Sequence, residues 1–380
     1  MYLLSGFFIA FFIALILVTK KNKSDADFIL FFWLIVIAIH LLSFYFFTTY
    51  HGRRFPSFTS LVMPLSLTHG PFLFLYTSKK TSNKKFTFYD LLHFAPFFLW
   101  FVISYHFYFL PSNKQVNVFL HNGKEFETQN EIRVVITYLS GVLYYIFSLI
   151  ILIKYHIKIK QRFSDIEKIN FNWLFYFILW NFLIWISVLL NQEKIAYGLI
   201  SFFILWIGYF GFKQTDVFFE KHTNLITPII SENSSERIEI KNLVQVNTAE
   251  NKNKVLSEEG AKVIEQKLLE YLINHKPYLN PELTLQDLAE YLDVHPNVLS
   301  YVINTTFQKN FYDLINEYRI EEFINLYQNS NDRYTILSLA LDSGFNSKSA
   351  FNRNFKKIKG ITPSEFISNF SNKANLEIVS

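Results

Sequence analysis

No cysteine occurs in the 380 residues, which excludes a disulfide framework, a cysteine-ligated zinc site, an iron–sulfur cluster and thiol catalysis. Charge is scarce in the first part of the chain. Residues 1–212 carry 18 Lys/Arg and 9 Asp/Glu, whereas residues 213–380 carry 18 and 22. The net charge of +5 therefore averages two unlike regions, one basic and one mildly acidic. Catalytic signatures are also missing: there is no G-x-x-x-x-G-K, no H-E-x-x-H and no G-x-S-x-G. The expectation is a protein that is not an enzyme and uses no cofactor and no metal.

What residues 1–212 do contain is apolar sequence. Seven runs, at about 2–18, 28–47, 58–77, 88–110, 134–153, 171–190 and 195–212, are separated by short polar connections. A helix needs about 20 residues to cross the hydrocarbon core of a bilayer, and these runs have that length. Several are uncharged, such as Phe28–Phe47 and Ile195–Phe212. A soluble fold built from seven such helices would have almost no polar surface, so the pattern predicts a seven-helix transmembrane bundle. The third run is the weakest, because Pro64, His69, Gly70 and Pro71 interrupt it.

The Lys/Arg distribution orients the bundle. Loops 19–27, 78–87 and 154–170 carry twelve basic residues: Lys20, Lys21, Lys23, Lys79, Lys80, Lys84, Lys85, Lys154, Lys158, Lys160, Arg162 and Lys168. The alternate loops carry six: Arg53, Arg54, Lys114, Lys124, Arg133 and Lys194. The richer side is cytoplasmic by this rule, which places the N-terminus outside and residue 213 onward inside. The first run is followed, not preceded, by its basic residues and has no A-x-A site, so it is expected to be retained. Polar residues within the runs are where a signal could be received. His40, His69 and His93 form the sharpest candidate, as a ligand or metal pocket. Interhelical hydrogen bonding is the plainer reading of the same residues.

Residues 213–260 are rich in Asn, Ser, Glu and Lys and read as a cytoplasmic linker. A flexible segment of that length has a reach on the order of 40 Å. Helical periodicity returns near Ser257. Val263, Leu268, Leu269 and Leu272 are expected on the inner face of a first helix ending near His275. Thr284 caps a short helix, Asp293-Val294 makes a turn, and Pro296 opens a second helix. Those are helix-turn-helix proportions. The pattern recurs about fifty residues on: Ile336–Asp342, a turn at Gly344, a cap at Asn346 or Ser347, and a helix through Lys359. A long helix over Phe311–Gln328 separates the two units, and Thr362-Pro363-Ser364-Glu365 starts a final one. Residues 371–380 are left as a tail. The fold class is thus all-α: a seven-helix bundle at 1–212, a linker at 213–260, and a helical domain at 261–370 with two helix-turn-helix units.

Three stretches, LTLQDLAEYLDVHPNVLSYVIN, NFYDLINEYRI and SGFNSKSAFNRNFKKIKGITPSEF, carry a resemblance. Residues 261–370 resemble the DNA-binding domain of the AraC/XylS family of bacterial transcription regulators. The whole layout is similar to members with a seven-span membrane region in place of a sugar-binding domain. The resemblance implies that the second helix of each unit enters the major groove of double-stranded DNA. By position, the first would present Asn297, Ser300, Tyr301 and Asn304, and the second Lys348, Ser349, Asn352, Arg353 and Lys356. Ser349, Asn352, Arg353 and Lys356 fall at i, i+3, i+4 and i+7, which is one helical face. Arg and Asn suit guanine and adenine, while Lys suits phosphate.

One departure from the family pattern stands out: no Lys or Arg occurs from His295 to Gln308, and His295 stands where Ser or Thr would cap. Residues 343–364, by contrast, hold Lys348, Arg353, Lys356, Lys357 and Lys359 and no acid. The second unit is therefore expected to carry most of the DNA affinity. The expected protein sits in a bacterial inner membrane. Its expected partners are double-stranded DNA, the lipid bilayer, a second copy as a homodimer, and an unidentified small-molecule or membrane signal. Two rival readings remain: a transporter or channel with a regulatory tail, and a scaffold with a protein-docking tail.

Overall fold

The computed structural model describes residues 2–21, 23–50, 55–82, 85–121, 124–166, 171–190, 192–213, 258–329 and 334–378. The expected linker lies outside the described residues from 214 to 257, as do Arg53, Arg54, Lys84 and Lys168 of the topology argument. Every described element is helical, as the apolar periodicity predicts. Among the described residues there is no β-strand, only an antiparallel bridge pairing Phe163 with Thr284.

The chain divides into two compact units. One is Met1–Tyr155 with Phe171–Glu220; the other is His156–Asn170 with Lys221–Ser380. This differs from a boundary at 212, because residues 156–170, read from sequence as an inter-span loop, belong to the second unit.

The first unit contains α1 (Tyr2–Thr19), α2 (Asp25–Tyr50), α3 (Pro56–Val62), α4 (His69–Thr81), α5 (Ala95–Ile103), α6 (Tyr105–Tyr108), α7 (Ser112–Leu120), most of α8 (Glu127–Lys160), α9 (Phe171–Leu189) and α10 (Glu193–Lys213). Two described helices, Asp25–Thr49 and Lys124–Lys160, are long and apolar enough to cross a membrane; Leu3–Thr19, Phe88–Ile103, Trp173–Leu189 and Lys194–Tyr209 are apolar but shorter. The third run is not one helix. It breaks into α3, a 3-10 turn at Met63–Thr68 and α4, because Pro64 has no N–H to donate and its ring crowds the preceding turn. The fourth run splits the same way at Phe94, just before Pro96. Asp27 and Ser24 cap α2 reciprocally, and Lys20 pairs with Asp27 at 2.9 Å across the α1–α2 connection.

Trp33, Leu34, Phe177, Phe203 and Ile204 fill the core of this unit. Its outer faces are apolar as well: Phe8, Phe12, Phe32, Leu139, Ile153 and Phe202 are each more than half exposed. Polar side chains such as Thr137, Ser148 and Asn181 are inside instead.

The second unit is built from α11 (Glu258–His275), a 3-10 turn at Pro277–Leu279, α12 (Leu285–Tyr291), α13 (Pro296–Thr306), α14 (Phe311–Asn329), α15 (Ile336–Asp342), α16 (Lys348–Lys359) and α17 (Pro363–Ile378). Helix α17 runs on into the residues left as a tail. Two apolar clusters make the core, and α14 serves both. Phe311, Leu314 and Ile315 close the first with Leu268, Leu288, Leu299 and Ile303. Ile320 and Phe323 close the second with Leu339, Phe345, Phe351 and Phe355. The inward face of α11 is Ile264, Leu268, Tyr271 and Leu272, whereas Val263 is exposed. Register places position 264, four before Leu268, on the stripe, and 263 beside it.

Candidate DNA-binding surface and an internal cavity

Each helix-turn-helix unit starts from a threonine cap. Thr284 Oγ1 accepts the Asp287 N–H at 3.2 Å while the Asp287 carboxylate accepts the Thr284 N–H at 2.9 Å; Thr335 Oγ1 accepts the Ser338 N–H at 3.1 Å. Each turn then uses a left-handed residue, Asp293 at φ 54° and Gly344 at φ 96°. Only the second requires glycine for space. A Cβ there would lie 2.3 Å from the Tyr278 carbonyl oxygen and 3.1 Å from Arg319 Nε.

The first recognition helix, α13, is capped by the imidazole that looked out of place. His295 Nδ1 accepts the Asn297 N–H at 3.2 Å. Leu299, Val302 and Ile303 are buried, which leaves Asn297, Tyr301 and Asn304 exposed and Ser300 half-buried. Asn304 Nδ2 donates to Ser300 Oγ at 3.4 Å. The four sequence-predicted residues therefore share the outward side of the helix.

On α16, Ser347 is the cap, accepting the Ala350 N–H at 3.1 Å. Lys348, Ser349, Asn352, Arg353 and Lys356 are all exposed, and Phe351 and Phe355 are buried as their register requires. Arg353 Nη2 donates to the Tyr312 hydroxyl at 3.2 Å, and the buried Asn354 donates to the same oxygen at 2.8 Å. Tyr312, from α14, thus steadies the arginine best suited to guanine. Lys357, in the same basic cluster, pairs with Asp313 at 2.6 Å.

Sequence reasoning missed a buried cation beneath both units. Arg319 of α14 is 1% exposed. Its Nε donates to the Tyr278 carbonyl at 2.8 Å, and Nη2 to the Asn280 carbonyl at 2.9 Å. Nη1 donates to the Ser164 carbonyl at 3.1 Å, and Nη2 also to Ser164 Oγ at 3.0 Å. Burial pulls its pKa down to about 10, partly offset by Asp165, so it remains charged at neutral pH. The signal was present: Ile315, Arg319 and Phe323 are spaced i, i+4, i+8, which puts a cation on the core stripe.

Ser164 and its neighbours form a strap across the second unit. The Ser164 N–H donates to the Leu283 carbonyl at 3.3 Å, and the Leu285 N–H to the Arg162 carbonyl at 2.9 Å. Phe163 is buried, Asn346 Nδ2 donates to Asp165 at 2.5 Å, and Lys160 Nζ stands 5.7 Å from the Tyr312 ring centre.

In the first unit a cavity of about 430 Å³ is lined by Trp33, His40, His69, Arg133, Thr137 and Tyr197, among others. Trp33 Nε1 donates to His69 Nδ1 at 3.0 Å, so the His69 proton sits on Nε2, which is 3.0 Å from His40 Nδ1. His40 Nε2 then carries the remaining proton, 3.5 Å from the Tyr197 hydroxyl. His93 is not part of this cavity; its Nδ1 lies 3.1 Å from the Tyr144 hydroxyl. Only two of the three expected histidines therefore meet, and among the described residues no group of three or more His, Asp or Glu could hold a metal. Arg133, counted as a loop residue from sequence, is on α8, 5.9 Å from the Trp100 ring centre.

Residues 288–369 match a protein-family model described as a helix-turn-helix domain. The match runs from within α12 to the first two turns of α17, both recognition helices included, and supports an AraC-type DNA-binding domain of a transcription regulator, with DNA as partner. Comparison with curated proteins and with solved structures finds no match.

Proposed function

We propose that this chain is a membrane-embedded, sequence-specific transcription regulator of the bacterial inner membrane, with seven spans, an outside N-terminus and a cytoplasmic DNA-binding unit. One observation carries the DNA-reading part: α16 holds Ser349, Asn352, Arg353 and Lys356 outward on one face while Phe351, Asn354 and Phe355 anchor it. The membrane part is supported by the inverted polarity of the first unit, phenylalanine and isoleucine outward and histidine, threonine and asparagine inward. The cavity around His40 and His69 is the place for a signal, because it combines aromatic walls with a few converging polar groups.

Genome-wide crosslinking of the intact protein, compared with Arg353→Ala, tests the reading. Site-specific enrichment that collapses in the variant supports it; no enrichment, or enrichment indifferent to the substitution, defeats it. Signalling through paired domains adds a second expectation: two tethered copies raise each other's effective concentration on DNA. Equal DNA affinity in every signalling state would remove that mechanism.

A further inference from the structure

The first recognition helix lacks any cation of its own, and its partner face in the second unit is supplied from far away in sequence. A cleft of about 200 Å³ is lined by Gln286 at the start of α12, Asn297 and Ser300 on the outward side of α13, and Lys158 and Arg162 of the strap. Lys158 is in the last turn of α8 and Arg162 lies two residues past its end, and the turn between them brings both to the wall of this cleft. Both are half-buried, and neither side chain makes an ion pair or hydrogen bond among the described residues. Burial lowers the pKa of Arg162 from its ordinary value, as expected for a cation without an anion. Two like charges facing one cleft repel each other unless an anion joins them.

Their hold on the site does not depend on their charges. The strap is fixed by main-chain bonds, Leu285 N–H to the Arg162 carbonyl and Ser164 N–H to the Leu283 carbonyl, and by Arg319 gripping Ser164. Cations delivered by rigid backbone lose little entropy when they engage a ligand. The start of the first helix and the start of the recognition helix are the parts of a helix-turn-helix that meet the DNA backbone and the groove edge.

We propose that Lys158 and Arg162 complete the first DNA-reading unit, as backbone-phosphate contacts beside Asn297 and Ser300, so that the DNA interface is composite and includes the strap. The inference rests on the DNA-binding reading above and adds two residues outside the matched domain. It also changes the expectation that the first unit binds weakly. Its affinity for phosphate comes from the strap, and its base contacts from Asn297, Ser300, Tyr301 and Asn304.

The test uses the full chain in zwitterionic lipid nanodiscs and a labelled random-sequence duplex, whose binding depends on phosphates alone. Affinity is followed as KCl rises from about 50 to about 200 mM. Lys158→Gln with Arg162→Gln should weaken binding on the order of tenfold at the low-salt end and flatten the logarithmic salt slope by about 2. The charge-keeping swap, Lys158→Arg with Arg162→Lys, should leave the slope unchanged. Gln286→Lys added to the double variant should restore about one unit of slope, which also shows that the variant is folded. An unchanged slope in the double variant overturns the inference. Lys356→Gln separates the two readings. If it flattens the slope while the double variant does not, only the strap's role fails. If the wild-type chain does not bind the duplex, the DNA-binding reading fails with it.

Discussion

The two helix-turn-helix units share a frame and differ in surface chemistry. Leu299, Val302 and Ile303 of α13 have their counterparts in Phe351, Asn354 and Phe355 of α16, all buried. Thr284 and Thr335 cap the leading helices, and Asp293 and Gly344 make the turns. The outward residues diverge: Asn297, Ser300, Tyr301 and Asn304 against Ser349, Asn352, Arg353 and Lys356. The second turn is one residue longer, which moves the cap from His295 to Ser347 and frees Asn346 to reach Asp165. The difference teaches that apolar spacing sets the frame, while the source of positive charge is free to vary. In one unit it lies on the recognition helix, and in the other on a strap from elsewhere in the chain.

The largest effect should come from cutting the feature both units share. Arg319→Ala leaves the Tyr278 carbonyl without a donor, takes one donor each from the Asn280 and Ser164 carbonyls and empties a buried side-chain site. It should cost about 3–5 kcal/mol, read as protease susceptibility of the second unit against urea. A fragment beginning at residue 256 lacks Ser164 and should fail in the same direction, because the buried guanidinium loses two of its bonds. Stability equal to that of a fragment supplied with residues 156–166 would show that the strap is dispensable.

The paired turns give the next contrast. Gly344→Ala forces a Cβ against the Tyr278 carbonyl at positive φ and should cost about 3 kcal/mol, combining overpacking with left-handed strain. Asp293→Gly, at the equivalent turn, should change stability by less than about 1 kcal/mol. Similar losses at both, measured by the same unfolding assay, would deny that the turns differ in packing.

On the reading faces, Arg353→Ala should cost about 1–3 kcal/mol in binding to a selected site and relax preference at one base pair, scored by binding-site selection. Tyr301→Ala should cost less. Equal losses would make the two units equivalent readers. His295→Ser replaces an imidazole cap with a favoured one and should stabilise the second unit by about 0.5 kcal/mol, seen as slower amide exchange at Asn297.

The smallest expectation concerns acid. The Thr362 N–H bonded to the Glu365 carboxylate holds its pKa below the usual value. That contribution is present above the ordinary glutamate pKa and is lost as pH falls through the lowered one. The first turn of α17 should therefore fray on acidification, and Glu365→Gln should abolish the acid-dependent loss of amide protection there, measured relative to the intrinsic exchange rate at each pH.

Much of the second unit was legible because its rules are local. Helix periodicity, Thr284, Pro296, Gly344 and the Thr362–Glu365 box act within a few residues, and the structure has each where its chemistry puts it. Arg319 was legible in principle, since its register places it on a buried stripe, but its acceptors are contributed by Tyr278, Asn280 and Ser164, and no pattern names those. The first unit was less legible in detail. Pro64 and Pro96 break runs that hydropathy reads as continuous, because hydropathy counts side chains and takes no account of a missing N–H.

The candidate sites divide in the same way. The face of α16 follows from spacing alone, since i, i+3, i+4 and i+7 share one side of any helix. The meeting of His40 with His69, and the separation of His93 from both, depends on how helices far apart in sequence pack.

By itself, then, the sequence determined an all-helical chain with an apolar first part, two reading helices and their outward residues, because composition and helical period are properties of neighbouring positions. Tertiary structure alone decided that residues 156–166 belong with the reading helices, that Tyr312 steadies Arg353, and that Arg319 grips the strap. Those pairings join residues up to 181 positions apart, as from Asp165 to Asn346. Long-range partners are selected by shape and unsatisfied hydrogen bonds in the assembled core, and neither exists until the chain has folded.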